Sequence, residues 1–90
     1  MTQAVSIEEA KGFLRVTDTA EDDLVSLLID AAQVRVETAS GLTLDTTSAA
    51  PLRLAILMLV AHGFEHREAA EPPIGLVEPW IAPYRAMRLT

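Results

Sequence analysis

Residues 51–69 read PLRLAILMLVAHGFEHREA, and every position from Leu54 to Ala61 is apolar. A helix has 3.6 residues per turn, so eight successive apolar residues leave no side that prefers water. The run is too short for a bilayer, which takes about 20 apolar residues, so protein must surround it. This predicts a central helix over about 51–69. Its polar groups are Arg53, His62, Glu65, His66, Arg67 and Glu68, gathered mostly at the C-terminal end, where the helix emerges into solvent or meets a partner.

Working outward, the preceding segment is a second long helix, about 20–40. Glu21, Asp22 and Asp23 sit where the positive end of the helix dipole favours negative charge, and Gly41 is a natural left-handed stop. At 100° per residue, Asp22, Ser26, Asp30, Gln33, Glu37 and Ser40 fall in one polar sector of about 100°. Leu24, Leu27, Leu28, Ala31 and Ala32 form the middle of the apolar side, with Val25, Ile29 and Val36 along its margin. Either this helix is fully buried in its own bundle, or Val25, Ile29 and Val36 face a second molecule, since a small bundle seldom covers more than about half of a helix.

A first helix is expected over about 6–16. Ser6 and Glu9 fit a capping box, and Ile7, Ala10, Phe13 and Leu14 recur at spacings of three and four. Side chains of Thr17, Asp18 and Thr19 are placed to cap the second helix, and Ser48 or Thr47 to cap the third, with Pro51 in its first turn. After Ala69, Pro72 and Pro73 force an extended turn, a short helix follows over about 76–81, and an arm over about 83–90 closes the chain. The expected fold is all-α, a single domain of three main helices with a short C-terminal helix and arm. Trp80 and Tyr84, flanked by Arg85 and Arg88, either seal the end of the bundle or anchor an interface.

Composition narrows the function. Of 90 residues half are hydrophobic, mostly aliphatic, and a chain this size leaves roughly 35–40% of its unfolded surface exposed after folding. Part of its apolar surface is therefore expected to meet another subunit. The absence of Cys removes disulfides and thiolate chemistry, and the first ten residues carry no secretory or membrane signal, which predicts a cytoplasmic protein. A net charge of −6 argues against gripping phosphate backbones, which Lys and Arg must neutralise. His62-Gly63-Phe64-Glu65-His66 matches the H-x-x-E-H pattern of inverted zinc peptidases, in which two imidazoles hold zinc and the Glu acts as base. A third ligand would have to come from Glu71 or Glu78 across the Pro-rich turn, and Gly63 weakens the helix there by about 1 kcal/mol. A helix end carrying salt bridges from Glu65 to Arg67 or Arg88 accounts for the same residues, so no catalytic, metal or cofactor site is assigned.

Several blocks together resemble a known family. They are Val5 to Val16 (VSIEEAKGFLRV), the acidic Glu21-Asp22-Asp23 opening a long helix, Leu52 to His62 with Glu65 and Arg67-Glu68 following, and Pro73-Ile74-Gly75 leading to Ala82-Pro83-Tyr84-Arg85. They are similar to the short head-tail connector proteins of tailed phages and prophages, also grouped as DNA-packaging proteins. The resemblance covers nearly the whole chain and departs at Gly63 and His66, where the family pattern implies an aromatic and commonly Asn. It implies a non-enzymatic subunit of a ring under the portal, extending the DNA channel and meeting the next head-completion or tail protein. Assembly would take place in the host bacterial cytoplasm, with the product in the neck of a virion or gene-transfer particle and no membrane partner. DNA would pass without specific binding. On this reading Val25, Ile29 and Val36 contact the neighbouring subunit, and Arg85, Met87, Arg88 and Leu89 form an arm that docks on the portal. A small helical interaction module or dimeric regulator is the alternative, and a zinc hydrolase the remote one.

Overall fold

The computed structural model describes residues 3–66 and 74–86, the last two by backbone alone. The described residues are all-helical: α1 (Ile7–Leu14), α2 (Asp22–Ser40), α3 (Ala50–Glu65), a 3-10 turn (Ile74–Leu76) and α4 (Glu78–Ala86). α2 and α3 pack along each other, and α1 and α4 each lie against both. Val25, Ile29, Ala32 and Val36 of α2 interlock with Leu52, Ala55, Ile56, Leu59 and Val60 of α3, and Val77 and Ile81 complete the core beside α4.

The expected capping box closes in both directions: Ser6 Oγ accepts from the Glu9 amide at 3.0 Å, and Glu9 Oε1 from the Ser6 amide at 2.9 Å. α1 ends at Leu14, two residues before the expected 16, because Arg15 turns left-handed (φ 62, ψ 41) and its N–H, with that of Val16, takes up the last carbonyls. α2 starts at Asp22 without a side-chain cap. Asp18 spends its carboxylate on the Ala20 amide instead, so the capping expected from residues 17–19 does not occur. Gly41 is left-handed, as read from the sequence (φ 78). Neither Thr47 nor Ser48 caps α3. Asp45 holds Thr47, while Ser48 Oγ accepts from the Asp45 amide. α3 ends at Glu65 because His66 leaves helical geometry (φ −125, ψ 59), and the expected residues 67–69 lie outside those described. α4 runs to Ala86, beyond the expected 81 and into the expected arm. Pro79 sits in its first turn, and Pro83 is solvent-exposed, so the hydrogen bond it forfeits can be replaced by water.

The polar sector of α2 does not face solvent. It lies against the two irregular segments that flank the helix in space, residues 3–5 and 42–45, and supplies the hydrogen bonds their backbones cannot make for themselves. Gln33 is fully buried: its Oε1 accepts from the Ala4 amide at 2.7 Å, while its Nε2 donates to the Leu44 carbonyl at 3.2 Å and to Glu37 Oε2 at 3.2 Å. Glu37 accepts from the Leu44 amide at 2.9 Å, and buried Ser40 from that of Leu42 at 3.2 Å. Ser26 and Asp30 take the Gln3 side chain at 3.3 and 3.1 Å. From α3, Arg53 Nε donates to the Ala4 carbonyl at 3.1 Å, and its guanidinium pairs with Glu9. Lys11 ties α1 to Asp22 at 2.8 Å.

Glu9 is held below the ordinary carboxylate range, first by the Ser6 backbone N–H and then by the Arg53 guanidinium. Its pKa is depressed on folding, so the stabilisation is present at neutral pH and lost as pH falls through the folded value. The side chain is 44% exposed, which limits the effect through solvent screening. Glu9→Gln is therefore expected to cost less than about 1 kcal/mol at pH 7. Urea unfolding of the two proteins should converge once the pH has fallen below the depressed pKa of Glu9; a difference persisting in strong acid would locate the loss elsewhere.

Candidate functional site

The inward turn of α2 decides which of its residues meet solvent. Val25, Ile29 and Val36, expected at a subunit contact, are each fully buried in the chain's own core. This corrects the sequence reading. The outer face instead carries Asp23, Leu27, Ala31, Val34 and Thr38, with Leu27 66% and Val34 46% exposed. Residues 27, 31 and 34 follow the i, i+4, i+7 spacing of one helix face, so they form a continuous aliphatic row rather than scattered surface side chains.

Two other exposed apolar groups stand on other elements. Phe13, at the end of α1, is 45% exposed beside exposed Gly12 and Arg15. Leu76, in the 3-10 turn, and Trp80, in the first turn of α4, are 40% and 39% exposed, so Trp80 does not seal the bundle, whereas Tyr84 is half-buried against the core. On α3 the outer side is not wholly covered either: Leu54, Leu57, Met58 and Ala61 are half-buried. The helix predicted to need surroundings on every side has them on most.

The H-x-x-E-H residues do not converge on a point. The His62 and His66 rings stack at 4.4 Å between centroids with 23° between planes, and His66 Nδ1 lies 3.0 Å from the His62 carbonyl, to which it donates. One nitrogen of the second imidazole is thereby occupied, and His66 has left the helix on which the i, i+4 chelate depends. Glu65 is exposed, and among the described residues no three His, Asp or Glu side chains are grouped to hold a metal. Gly63 has a packing role: a Cβ there would come within 2.9 Å of Leu28 Cδ2, so the bare backbone admits the α2 leucine. The Glu65 pairing with Arg67 or Arg88 involves partners outside the described residues.

Of the expected portal-docking residues, Arg85 lies in α4 by its backbone, while Met87, Arg88 and Leu89 lie outside the described residues. No helix among the described residues is long and apolar enough to cross a membrane.

Across residues 4–72 the sequence matches the pattern of a known family, the phage gp6-like head-tail connector proteins. The chain belongs to this family. No curated protein and no solved structure matches it. As a head-tail connector it is a structural component of a phage neck that meets other head or tail proteins. The matched span holds α1, α2 and α3 with the hydrogen-bonded segments between them, so the connector pattern coincides with the buried framework. Sequence reading missed two features of this connector, the buried Gln33 and the aliphatic outer row of α2. The periodicity of α2 is the same whichever way its polar sector faces. The signal that was present is the pair of irregular flanking segments, whose backbone groups need partners.

Proposed function

We propose that the connector is the subunit of a ring docked beneath the portal, which prolongs the DNA channel and offers its far side to the next head-completion or tail protein. The family match over residues 4–72 carries this reading. Surface chemistry supports it: a subunit of a closed ring needs lateral contacts, and exposed aliphatic rows on an acidic chain are suited to protein rather than phosphate. A net charge of −6 lets a duplex slide, where a basic lumen would bind it strongly at low salt. The ring would form in the host bacterial cytoplasm and remain in the neck of the particle, whether virion, prophage product or gene-transfer particle. The C-terminal residues Arg85, Met87, Arg88 and Leu89, cationic and apolar in an acidic chain, are assigned to portal carboxylates and an apolar groove.

Electron microscopy of the purified protein, alone and mixed with its cognate portal, tests the assembly, and rings on the portal are expected. Deleting residues 87–90 should leave the thermal midpoint within about 2 °C and should remove portal binding. Undiminished binding by the truncated chain would refute the arm's role.

A further inference from the structure

We propose that successive copies join head to tail through the C-terminal end of α1, carrying Phe13 and Arg15, seated on the outer face of α2 of the next copy at Asp23, Leu27 and Val34. The contact rests on the ring reading above and names its subunit interface. The first ground is Arg15 itself. It adopts the left-handed conformation, usual there for Gly or Asn and costing other residues about 1 kcal/mol, yet its exposed side chain has no partner among the described residues. The other Lys and Arg whose side chains are described are engaged: Lys11 with Asp22, Arg53 with Glu9, and Arg35 also in an interaction. Among those side chains, Arg15 is the cation available to a second molecule.

The second ground is charge. Copies that each carry −6 repel at a distance, so a stable contact between them must set opposite charges together locally. The outer face of α2 offers the exposed carboxylate of Asp23 one turn before Leu27. With Arg15 paired to Asp23, the exposed Phe13 of the same end of α1 is matched to the row of Leu27, Ala31 and Val34 that begins one turn further along α2. Aromatic residues and arginine are the types that most often anchor interfaces.

The third ground is symmetry. An α2-on-α2 pairing uses one patch on both copies and closes a dimer, whereas two different patches, each used once per subunit, give a heterologous contact that repeats around a ring.

The chain contains no Cys, so trapping has a clean background. A tagged Arg15→Cys chain is mixed with an untagged Asp23→Cys chain and oxidised. The expected result is a disulfide heterodimer in clear excess over both homodimers. Light scattering of wild type, Arg15→Glu and the double variant Arg15→Glu/Asp23→Arg is measured alongside. Reversing the one charge should weaken self-association about tenfold or more, and reversing both should restore it. Wild-type oligomers without the heterodimer, or without rescue by the double reversal, would overturn this contact and leave the ring reading standing. A wild type that is monomeric up to ~1 mM, gives no heterodimer and forms no ring on its cognate portal would overturn both.

Discussion

Ile29→Asp is expected to unfold the connector, with loss of the helical far-UV signal or a thermal midpoint lowered by about 20 °C or more. Ile29 is fully buried at the centre of the inner face of α2, between Val25 and Val36 and against α3. The substitution removes about 2–3 kcal/mol of apolar burial and places a carboxylate in an aliphatic core, at a further cost of several kcal/mol. A domain of this size holds only about 5–13 kcal/mol in total. Two positions earlier on the same helix, Leu27→Asp should change stability by less than about 0.5 kcal/mol, because that side chain is already 66% exposed. The pair of variants separates core from surface. A helical, monomeric Ile29→Asp protein would return Ile29 to a subunit contact.

The second large effect is at Gln33. Gln33→Leu keeps the volume roughly and favours burial, yet it strips partners from the Ala4 amide, at 2.7 Å, and from the Leu44 carbonyl, at 3.2 Å. A buried polar group left without its partner costs about 1–3 kcal/mol. Two such groups, partly offset by the added apolar side chain, give an expected loss of about 2–4 kcal/mol and a midpoint lowered by roughly 10–20 °C. Hydrogen exchange locates the damage: the Ala4 amide should exchange markedly faster in Gln33→Leu, while amides in the middle of α3 keep their order of protection. Unchanged or raised stability would mean that the Gln33 bonds do not contribute in solution. A polar residue that stabilises more than its apolar isostere identifies a hydrogen-bonding hub, and this one joins the N-terminal segment, α2 and the loop before α3.

Features that depend on a few neighbouring residues were legible in the sequence. The Ser6–Glu9 capping box, the left-handed Gly41, Pro51 in the first turn of α3 and the all-helical class are settled by contacts within one turn or by the helical period, and all are present as read. The family was legible for a related reason, since its blocks are runs of adjacent residues. Three local expectations failed because the same side chains had other local options. Asp18 and Ser48 were suited to capping but hydrogen-bond within their own turns. Pro79 and Pro83 shortened the expected fourth helix, yet one occupies a first turn and the other faces water.

The orientation of α2 was decided by tertiary structure alone. A polar sector read from periodicity fixes the angle between polar and apolar residues about the helix axis, and this angle is as expected. It does not say which sector points inward. Residues 3–5 and 42–45 form no regular structure, so their backbone groups must find partners elsewhere, and Gln33, Glu37 and Ser40 supply them. That requirement draws the polar flank toward the protein, carries Val25, Ile29 and Val36 into the core, and leaves Leu27, Ala31 and Val34 outside. The amount of apolar surface left for a partner follows from composition, but its address follows from hydrogen bonds between side chain and backbone in segments nearly thirty residues apart, as from the Ala4 amide to Gln33 Oε1.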